Sequence, residues 1–148
     1  MDRQRAISGA AEACRRAAEL VLPGRDVVVA LVDDRTIARL HERFLGEAGP
    51  TDVLSFPHGE IVASGDTAWR EARARGIDPR HELLLYVVHG ALHLAGYRDK
   101  GRADAGRMRA AERRVLHALG VGDVFGARPR GGPPGPRRRR RRRRGPVS

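Results

Sequence analysis

The most constraining feature of the sequence is a long apolar segment that begins at Asp78 and Pro79 and ends at Gly96. Aspartate is a preferred helix N-cap, proline is favoured at the first helical position, and glycine is favoured just past a helix end. The segment therefore predicts a helix over residues 79–95. Its apolar positions cover most of the circumference: Leu83, Leu84, Val87, Val88, Ala91, Leu92 and Ala95. A helix that is apolar on so many sides is predicted to lie at the centre of the fold.

Two histidines interrupt this apolar helix, His89 and His93. Side chains four residues apart lie on the same helix face, so both imidazoles point the same way. Gly96 allows the chain to reverse, and Asp99 follows six residues after His93. Three protein ligands with a fourth position open are typical of catalytic zinc. The pattern H-x3-H-x2-G-x2-D thus predicts one Zn²⁺ per chain, held by His89, His93 and Asp99.

The histidine pair has two other possible interpretations. Histidines at this spacing also occur as surface residues or as hydrogen-bonded core residues. Two polar rings on an otherwise apolar helix are expected to be buried, however, and buried polar groups require a partner. A zinc peptidase of the H-E-x-x-H type requires glutamate directly after the first histidine as its general base. That position is Gly90 here, which disfavours the peptidase class.

The rest of the chain alternates helical and strand-like patterns. Periodicity and end signals predict further helices over 4–22, 35–44, 66–76 and 104–119, and strands over 27–32, 53–56 and 61–63. The run 27–32 is continuously apolar, which predicts a strand buried on both faces. Residues 51–63 predict a hairpin, and Asp66 is predicted to cap the helix that follows it. Core positions are predicted at Cys14, Ile37, Leu40, Phe44, Phe56, Trp69, Met108, Ala111, Val115 and Leu119. This order predicts an α/β or α+β fold with a small mixed sheet and about five helices.

The basic charge of the sequence is concentrated at one end. The formal net charge is +11, yet residues 1–127 contain 19 basic and 18 acidic residues. The remaining ten arginines lie in 128–148, where no acid occurs, and include the run 137–144. We therefore expect a metal-dependent hydrolase domain over 1–127 and a disordered arginine-rich tail over 128–148. Such a tail binds any polyanion, although the general preference for arginine over lysine in this chain would also produce it without a function.

Composition also excludes several classes of protein. No run approaches the roughly 20 apolar residues that span a bilayer, and the start of the chain lacks an apolar signal region. The single cysteine, Cys14, cannot form an internal disulfide. We expect a cytoplasmic domain without a membrane partner.

Beyond the histidine pair, several longer motifs resemble one known family. HGALHLAGY over 89–97 resembles the signature of the YbeY family of bacterial endoribonucleases and ribosomal-RNA maturation factors. Further segments resemble family motifs in the same order: PTDVLSFP over 50–57, GEIVAS over 59–64, Glu82, and the pair Met108 and Glu112. The resemblance covers residues 27–120.

The resemblance implies a mixed α/β fold, a bound zinc and endoribonuclease activity on single-stranded RNA. It further implies a role in 16S ribosomal-RNA 3′-end maturation and ribosome quality control, with ribosomal RNA and the small ribosomal subunit as partners. By position, the zinc ligands and catalytic residues are His89, His93 and Asp99. The family usually has histidine where this chain has Asp99, aspartate where it has Arg98, and often arginine where it has Leu45.

Four residues are candidates for contact with RNA: Arg43, His58, Arg98 and Lys100. His58 is also a candidate proton donor, and a solvated surface role stays open for all four. Two alternative functions also stay open. One is a non-catalytic RNA-binding ribosome-assembly factor with a structural zinc, which Leu45 favours. The other is another metallohydrolase, such as a peptidase.

Overall fold

Three short strands form the sheet on which the helices of this protein pack. The computed structural model describes residues 2–122. Its elements are α1 (Arg3–Val21), β1 (Val28–Val32), α2 (Asp34–Leu45), β2 (Val53–Phe56), β3 (Glu60–Ser64), α3 (Gly65–Arg75), α4 (Pro79–Leu94) and α5 (Gly101–Ala118). The prediction of an α+β fold with a small sheet and about five helices is confirmed. The predicted tail over 128–148 lies outside the described residues.

The strand order of the sheet is β1-β3-β2. β1 runs parallel to β3, with Val28 opposite Glu60, whereas β2 runs antiparallel to β3, with Phe56 opposite Glu60. The predicted hairpin is therefore confirmed. Its tight turn ends at Gly59, where φ is +112° and a Cβ atom would collide with the carbonyl oxygen of Asp26, so glycine is required there.

The burial predicted for the first strand is wrong. Val28 is 61% exposed, and the other residues of β1 are only half-buried. The physical reason is the strand order, because β1 lies at one edge of the sheet and β3 takes the central place. A continuous apolar run cannot by itself reveal which strand will be central.

The two faces of the sheet are covered by different helices. On one face, Val53, Ile61 and Ala63 join the main core with residues of α1, α4 and α5. On the other face, Leu54 and Val62 form a smaller cluster with Ile37 of α2. Alternate residues of β2 and β3 thus face opposite layers, as the strand period of two requires.

The helix α4 is central, as predicted, since it contacts α1, α3, α5 and the strands β2 and β3. The carboxylate of Asp78 accepts a hydrogen bond from the backbone N–H of Arg80 at 2.9 Å, and Pro79 begins the helix. At the other end, Gly96 has a φ of +107° and the N–H of Tyr97 donates to the carbonyl of Leu92 at 2.9 Å. This is a Schellman ending, which turns the chain back over the last turn of the helix.

Three smaller predictions about the helices need correction. Phe44 is 56% exposed rather than buried, because β2 ends at Phe56, whose ring contacts that of Phe44 edge to face and leaves most of it uncovered. α3 is capped by Ser64 and not by Asp66, since Ser64 Oγ accepts the hydrogen bond of the Thr67 N–H. α5 begins at Gly101, one turn before the predicted residue 104.

The only cysteine is a core residue, as its position on the apolar face of α1 predicted. Cys14 is fully buried, and this burial raises the pKa of its thiol to about 12. The thiol is thus not reactive at neutral pH. Across residues 2–122, none of the helices combines the length and apolar character needed to cross a membrane.

Candidate metal centre

The two histidines of α4 point to one place, as their spacing of four residues predicted. The Nε2 atoms of His89 and His93 lie 3.0 Å apart. Their rings are nearly perpendicular, with centroids 4.6 Å apart. Two ring nitrogens this close, each carrying a lone pair, repel unless a proton or a cation lies between them.

The Schellman ending of α4 brings Asp99 back to the two rings. Its Oδ2 atom lies 3.5 Å from Nε2 of His89 and 3.5 Å from Nε2 of His93. The three side chains form the group of potential metal ligands that the described residues contain, and their donor atoms lie within 4.8 Å of one another. The predicted ligand set therefore converges in space.

The spacing of these donor atoms suits a zinc ion. Zinc binds histidine nitrogen and carboxylate oxygen at about 2.0–2.2 Å in a tetrahedron, which requires ligand atoms about 3.3 Å apart. The three observed separations are 3.0, 3.5 and 3.5 Å. Three such ligands leave the fourth tetrahedral position to water or substrate. The residues therefore fit the ion that the sequence predicts.

A buried glutamate of α5 contacts the ring nitrogen of His89 that is not directed at His93 and Asp99. Glu112 Oε2 lies 2.5 Å from Nδ1 of His89, and the Glu112 side chain is only 7% exposed. When Nδ1 donates its proton to this carboxylate, Nε2 presents its lone pair to Asp99 and His93. This arrangement fixes the imidazole tautomer that binds metal.

The electrostatics of the cluster favour a positive charge. Burial lowers the pKa of His89, but its hydrogen bonds with Asp99 and Glu112 outweigh burial and raise this pKa to about 10. Burial raises the pKa of Asp99, yet the neighbouring imidazoles hold it well below its usual range. Two carboxylates around two imidazoles thus stabilise either an imidazolium or a divalent cation.

The cluster is open on one side. The side chains of His89 and Asp99 are 22% and 19% exposed, whereas His93 is 6% exposed. His93 therefore faces the protein, and solvent reaches the cluster past His89 and Asp99. A ligand that reaches the cluster therefore approaches from that side.

The residue after the first histidine is glycine because α4 packs closely on the sheet there. A Cβ atom on Gly90 would lie 3.1 Å from a methyl group of Ile61 and 3.2 Å from one of Val53. Ser55 is buried beside the same glycine. A glutamate at position 90 would point into the sheet, so the general base of an H-E-x-x-H peptidase has no room.

The four candidate RNA contacts fall into two groups. Arg98 and Lys100 are exposed and flank Asp99 in the chain. Arg43 and His58 belong to a different surface, where the Arg43 guanidinium lies 5.5 Å from the ring of Phe44. The ring of His58 stacks on Phe56, and its Nε2 lies 3.3 Å from Glu60. His58 is thus not part of the metal cluster.

The family-like acid Glu82 has a structural partner that the sequence did not indicate. Its Oε1 atom lies 2.6 Å from Arg75 Nη1, and both side chains lie between α3 and α4. Burial raises the pKa of Glu82, against the opposing charge of Arg75. This ion pair fixes the first turn of α4 and hence the position of the helix that carries the histidines.

The contact between Glu112 and His89 is the feature of the site that sequence reasoning missed. In the sequence, Glu112 stands out only as part of a motif that resembles the family. A signal was nevertheless present, because Glu112 follows Met108 by four residues and therefore shares the buried face of α5. A carboxylate on a buried face requires a partner.

Comparisons with known proteins agree on one family. The family model Endoribonuclease YbeY matches residues 2–120. A relative from Rhodopirellula baltica named Endoribonuclease YbeY is 40% identical over 129 residues, 80% of this chain and 62% of that protein. Another of that name, from Azorhizobium caulinodans, is 33% identical over 132 residues, 81% of this chain and 83% of that protein. The chain thus spans less than two thirds of the Rhodopirellula relative.

A solved structure has a similar fold. The solution structure of TM1509 from Thermotoga maritima superposes with a TM-score of 0.54 and 27% identity. The match covers 88% of this chain and 93% of that one.

Proposed function

This chain belongs to the YbeY family, and from that premise we propose that it is a zinc-dependent endoribonuclease that cleaves single-stranded RNA. The observation that carries the proposal is the convergence of three ligand atoms, from His89, His93 and Asp99, on one partly open point. The relatives named Endoribonuclease YbeY support RNA as the substrate.

Each residue of the cluster has a distinct role in this proposal. His89, His93 and Asp99 would hold the metal. Glu112 accepts a hydrogen bond from Nδ1–H of His89, which keeps the proton on Nδ1 and leaves Nε2 free to bind the metal. Zinc, when bound, supplies a Lewis acid for the phosphodiester group. The exposed cations of Arg98 and Lys100 attract the RNA phosphates toward the open side. Arg43 and His58 contact RNA farther from the cluster.

The cellular role that we propose is maturation of the 16S ribosomal-RNA 3′ end and ribosome quality control, on the small ribosomal subunit in the cytoplasm. RNA recognition in this role is electrostatic and depends on strand shape, because single strands expose their backbone and bases. The domain that carries out this role is residues 1–127.

Cleavage of a labelled single-stranded RNA tests the proposal. We compare the wild type with His93→Ala and with His81→Ala, a matched variant on the same helix. The expected result is cleavage by the wild type and by His81→Ala, and none by His93→Ala, whose RNA binding persists. Equal cleavage by all three proteins would show that the activity does not come from this cluster.

One observation favours a second function, a non-catalytic RNA-binding assembly factor with a structural zinc. Leu45 ends α2, is 38% exposed, and stands where the family often has arginine. Under this alternative, the wild type binds RNA and zinc but does not cleave. In that case the Leu45→Arg variant would cleave RNA although the wild type does not. If the wild type is already a nuclease, the same substitution would only increase its rate of cleavage.

A further inference from the structure

A group of aromatic rings that is not part of the metal cluster lies where β2 ends. The rings of Phe44 and Phe56 meet edge to face, with centroids 5.4 Å apart and an interplanar angle of 72°. The ring of His58 stacks on Phe56, with centroids 6.0 Å apart and planes inclined by 25°. We call Phe44, Phe56 and His58 the aromatic row. It connects the end of α2 to the turn between β2 and β3.

The two outer rings of the aromatic row are open to solvent. The side chain of His58 is 70% exposed, and Phe44 is 56% exposed. Phe56 packs against the smaller core cluster and so fixes the row to the fold, while Glu60 contacts His58 Nε2 at 3.3 Å and orients its ring. Single exposed apolar residues are common on proteins, whereas contiguous exposed apolar surface marks binding sites.

Exposed arginines of α2 flank the aromatic row. Arg35, Arg39 and Arg43 follow one another at intervals of four residues, which places them along one side of the helix. Against these three arginines α2 exposes one acid, Glu42, so its exposed charge is positive. The guanidinium of Arg43 lies 5.5 Å from the centroid of the Phe44 ring. A cation is therefore present directly beside the exposed rings.

One guanidinium connects the aromatic row to the end of the helix that carries the histidines. Arg25 donates a hydrogen bond from Nη1 to the carbonyl of Leu94 at 3.2 Å and another from Nη2 to the carbonyl of Pro57 at 3.4 Å. Leu94 follows His93, and Pro57 precedes His58. The last turn of α4 and the turn that carries His58 are therefore neighbours. A single strand that passes around the end of β2 can reach both the metal cluster and the row.

We propose that the aromatic row stacks on unpaired bases of the RNA strand that enters the metal cluster, with Arg43 on an adjacent phosphate. The inference rests on the proposed nuclease function and specifies how its substrate is held. Rings beside guanidinium groups match a chain of alternating bases and phosphates, which favours RNA over an apolar protein surface.

Stacking on the row gives selectivity for strand type and not for sequence. Every nucleobase has a π-face, so stacking on protein rings accepts all four bases. The bases must be unstacked from a duplex before they can contact the row. The row therefore favours single-stranded over double-stranded RNA.

A comparison of two ligands and two sets of variants tests the proposal. The ligands are a short phosphorothioate single-stranded RNA, which resists cleavage, and an abasic strand of the same length and charge. The row variant combines Phe44→Ala with His58→Ala. The matched variant, Leu20→Ala with His117→Ala, also removes one exposed apolar side chain and one exposed imidazole. The arginines over 137–144 are present in every protein and bind both strands through their charge.

The quantity that reports stacking is the ratio of the affinities for RNA and for the abasic strand. A stacked base contributes about 1–3 kcal/mol, so this ratio should fall by about 5–150-fold in the row variant. The matched variant should keep the wild-type ratio. A third variant, Phe44→Tyr with His58→Phe, keeps both rings and is expected to retain the ratio, which excludes loss of fold or of the imidazole charge as the cause.

The contact of Arg43 with phosphate has its own readout. Arg43→Gln should weaken the binding of both strands alike and reduce the slope of log K against log salt by about 0.7, the contribution of one phosphate contact to a single strand. An unchanged slope would mean that Arg43 does not contact the backbone.

Two results would overturn the proposal. An equal affinity ratio in the row variant and the matched variant would mean that the rings do not contact bases. The same equality, together with dimers of the wild type that sedimentation detects and the row variant lacks, would assign the row to a second copy of the chain. Both results leave cleavage by the wild type unaffected, so this proposal can fail while the nuclease function stands. The ratio can likewise be measured if no cleavage occurs.

Discussion

The Glu112 carboxylate, which contacts Nδ1 of His89, should increase the zinc affinity of the cluster. Glu112 accepts from Nδ1 of His89 at 2.5 Å and is 7% exposed, so solvent screens this hydrogen bond weakly. The substitution Glu112→Gln keeps the size and the acceptor oxygen but removes the charge. It therefore isolates the electrostatic part of the interaction.

The expected loss follows from hydrogen-bond energies. A hydrogen bond to a charged group contributes about 1.5–3 kcal/mol and one between neutral groups about 0.5–1.5 kcal/mol. The midpoints of these ranges differ by about 1.3 kcal/mol, which corresponds to a roughly eightfold weaker zinc affinity. Loss of such a carboxylate partner at metal sites typically costs 10–100-fold in affinity.

Competition with a chromogenic zinc chelator measures this change. Loss of Glu112 has two effects on zinc binding: it makes His89 a weaker ligand, and it lowers the pKa of His89, so that protons compete less with zinc. Only the second effect depends on pH, so titrations at two pH values separate the two. Asp104→Asn serves as the matched control, since this acid lies on the same helix but pairs with Arg107. Equal zinc affinity in Glu112→Gln and the wild type, with the fold intact, would refute the reasoning.

Three further predictions concern the helix that carries the histidines. Gly90→Ala should lower the free energy of unfolding by up to about 2 kcal/mol, because overpacking against the sheet costs about 1–3 kcal/mol and the gain in helix propensity offsets about 1 kcal/mol of it; a higher midpoint of urea denaturation would contradict this. Asp78→Ala should cost about 1 kcal/mol through loss of the N-cap. Hydrogen bonds with Arg80 lower the pKa of Asp78 from 3.8 to about 2, so the wild type should lose this stabilisation as pH falls from about 4 to 2 and the variant should not. Arg75→Ala should cost about 3–5 kcal/mol because Glu82 is left buried without its counter-charge. The double variant Arg75→Met and Glu82→Leu should lose less than Arg75→Ala in the same denaturation assay.

Local signals in the sequence predicted the helix at the centre of the site. Asp78, Pro79 and Gly96 mark its ends through backbone preferences that act within a few residues. The spacing of His89 and His93 is a property of any α-helix, so their common direction could be predicted as well. The return of Asp99 followed from the turn at Gly96.

Burial that depends on distant elements was harder to predict. The run of β1 is apolar throughout, yet its exposure was decided by β3 taking the place between β1 and β2. Phe44 lies on the apolar side of α2, but β2 ends at Phe56 and leaves the ring largely uncovered. Strand order and strand length relative to a helix are tertiary properties, which a period of apolar residues does not contain.

The partners of buried acids were missed for a similar reason. Glu112 and Glu82 lie on buried helix faces, so the sequence indicated that each needs a counterpart. The identity of the counterpart depends on how α5 and α3 pack against α4. Only the structure pairs Glu112 with His89 and Glu82 with Arg75.

Metal content is the most direct test of the account. Elemental mass spectrometry on untagged protein, never exposed to a nickel column, compares the wild type with His93→Ala and Asp99→Ala. Three protein ligands with an open fourth position predict about one zinc per chain in the wild type and loss of zinc in both variants. Zinc retained in Asp99→Ala, or no zinc in the wild type, would contradict a metal centre built from His89, His93 and Asp99.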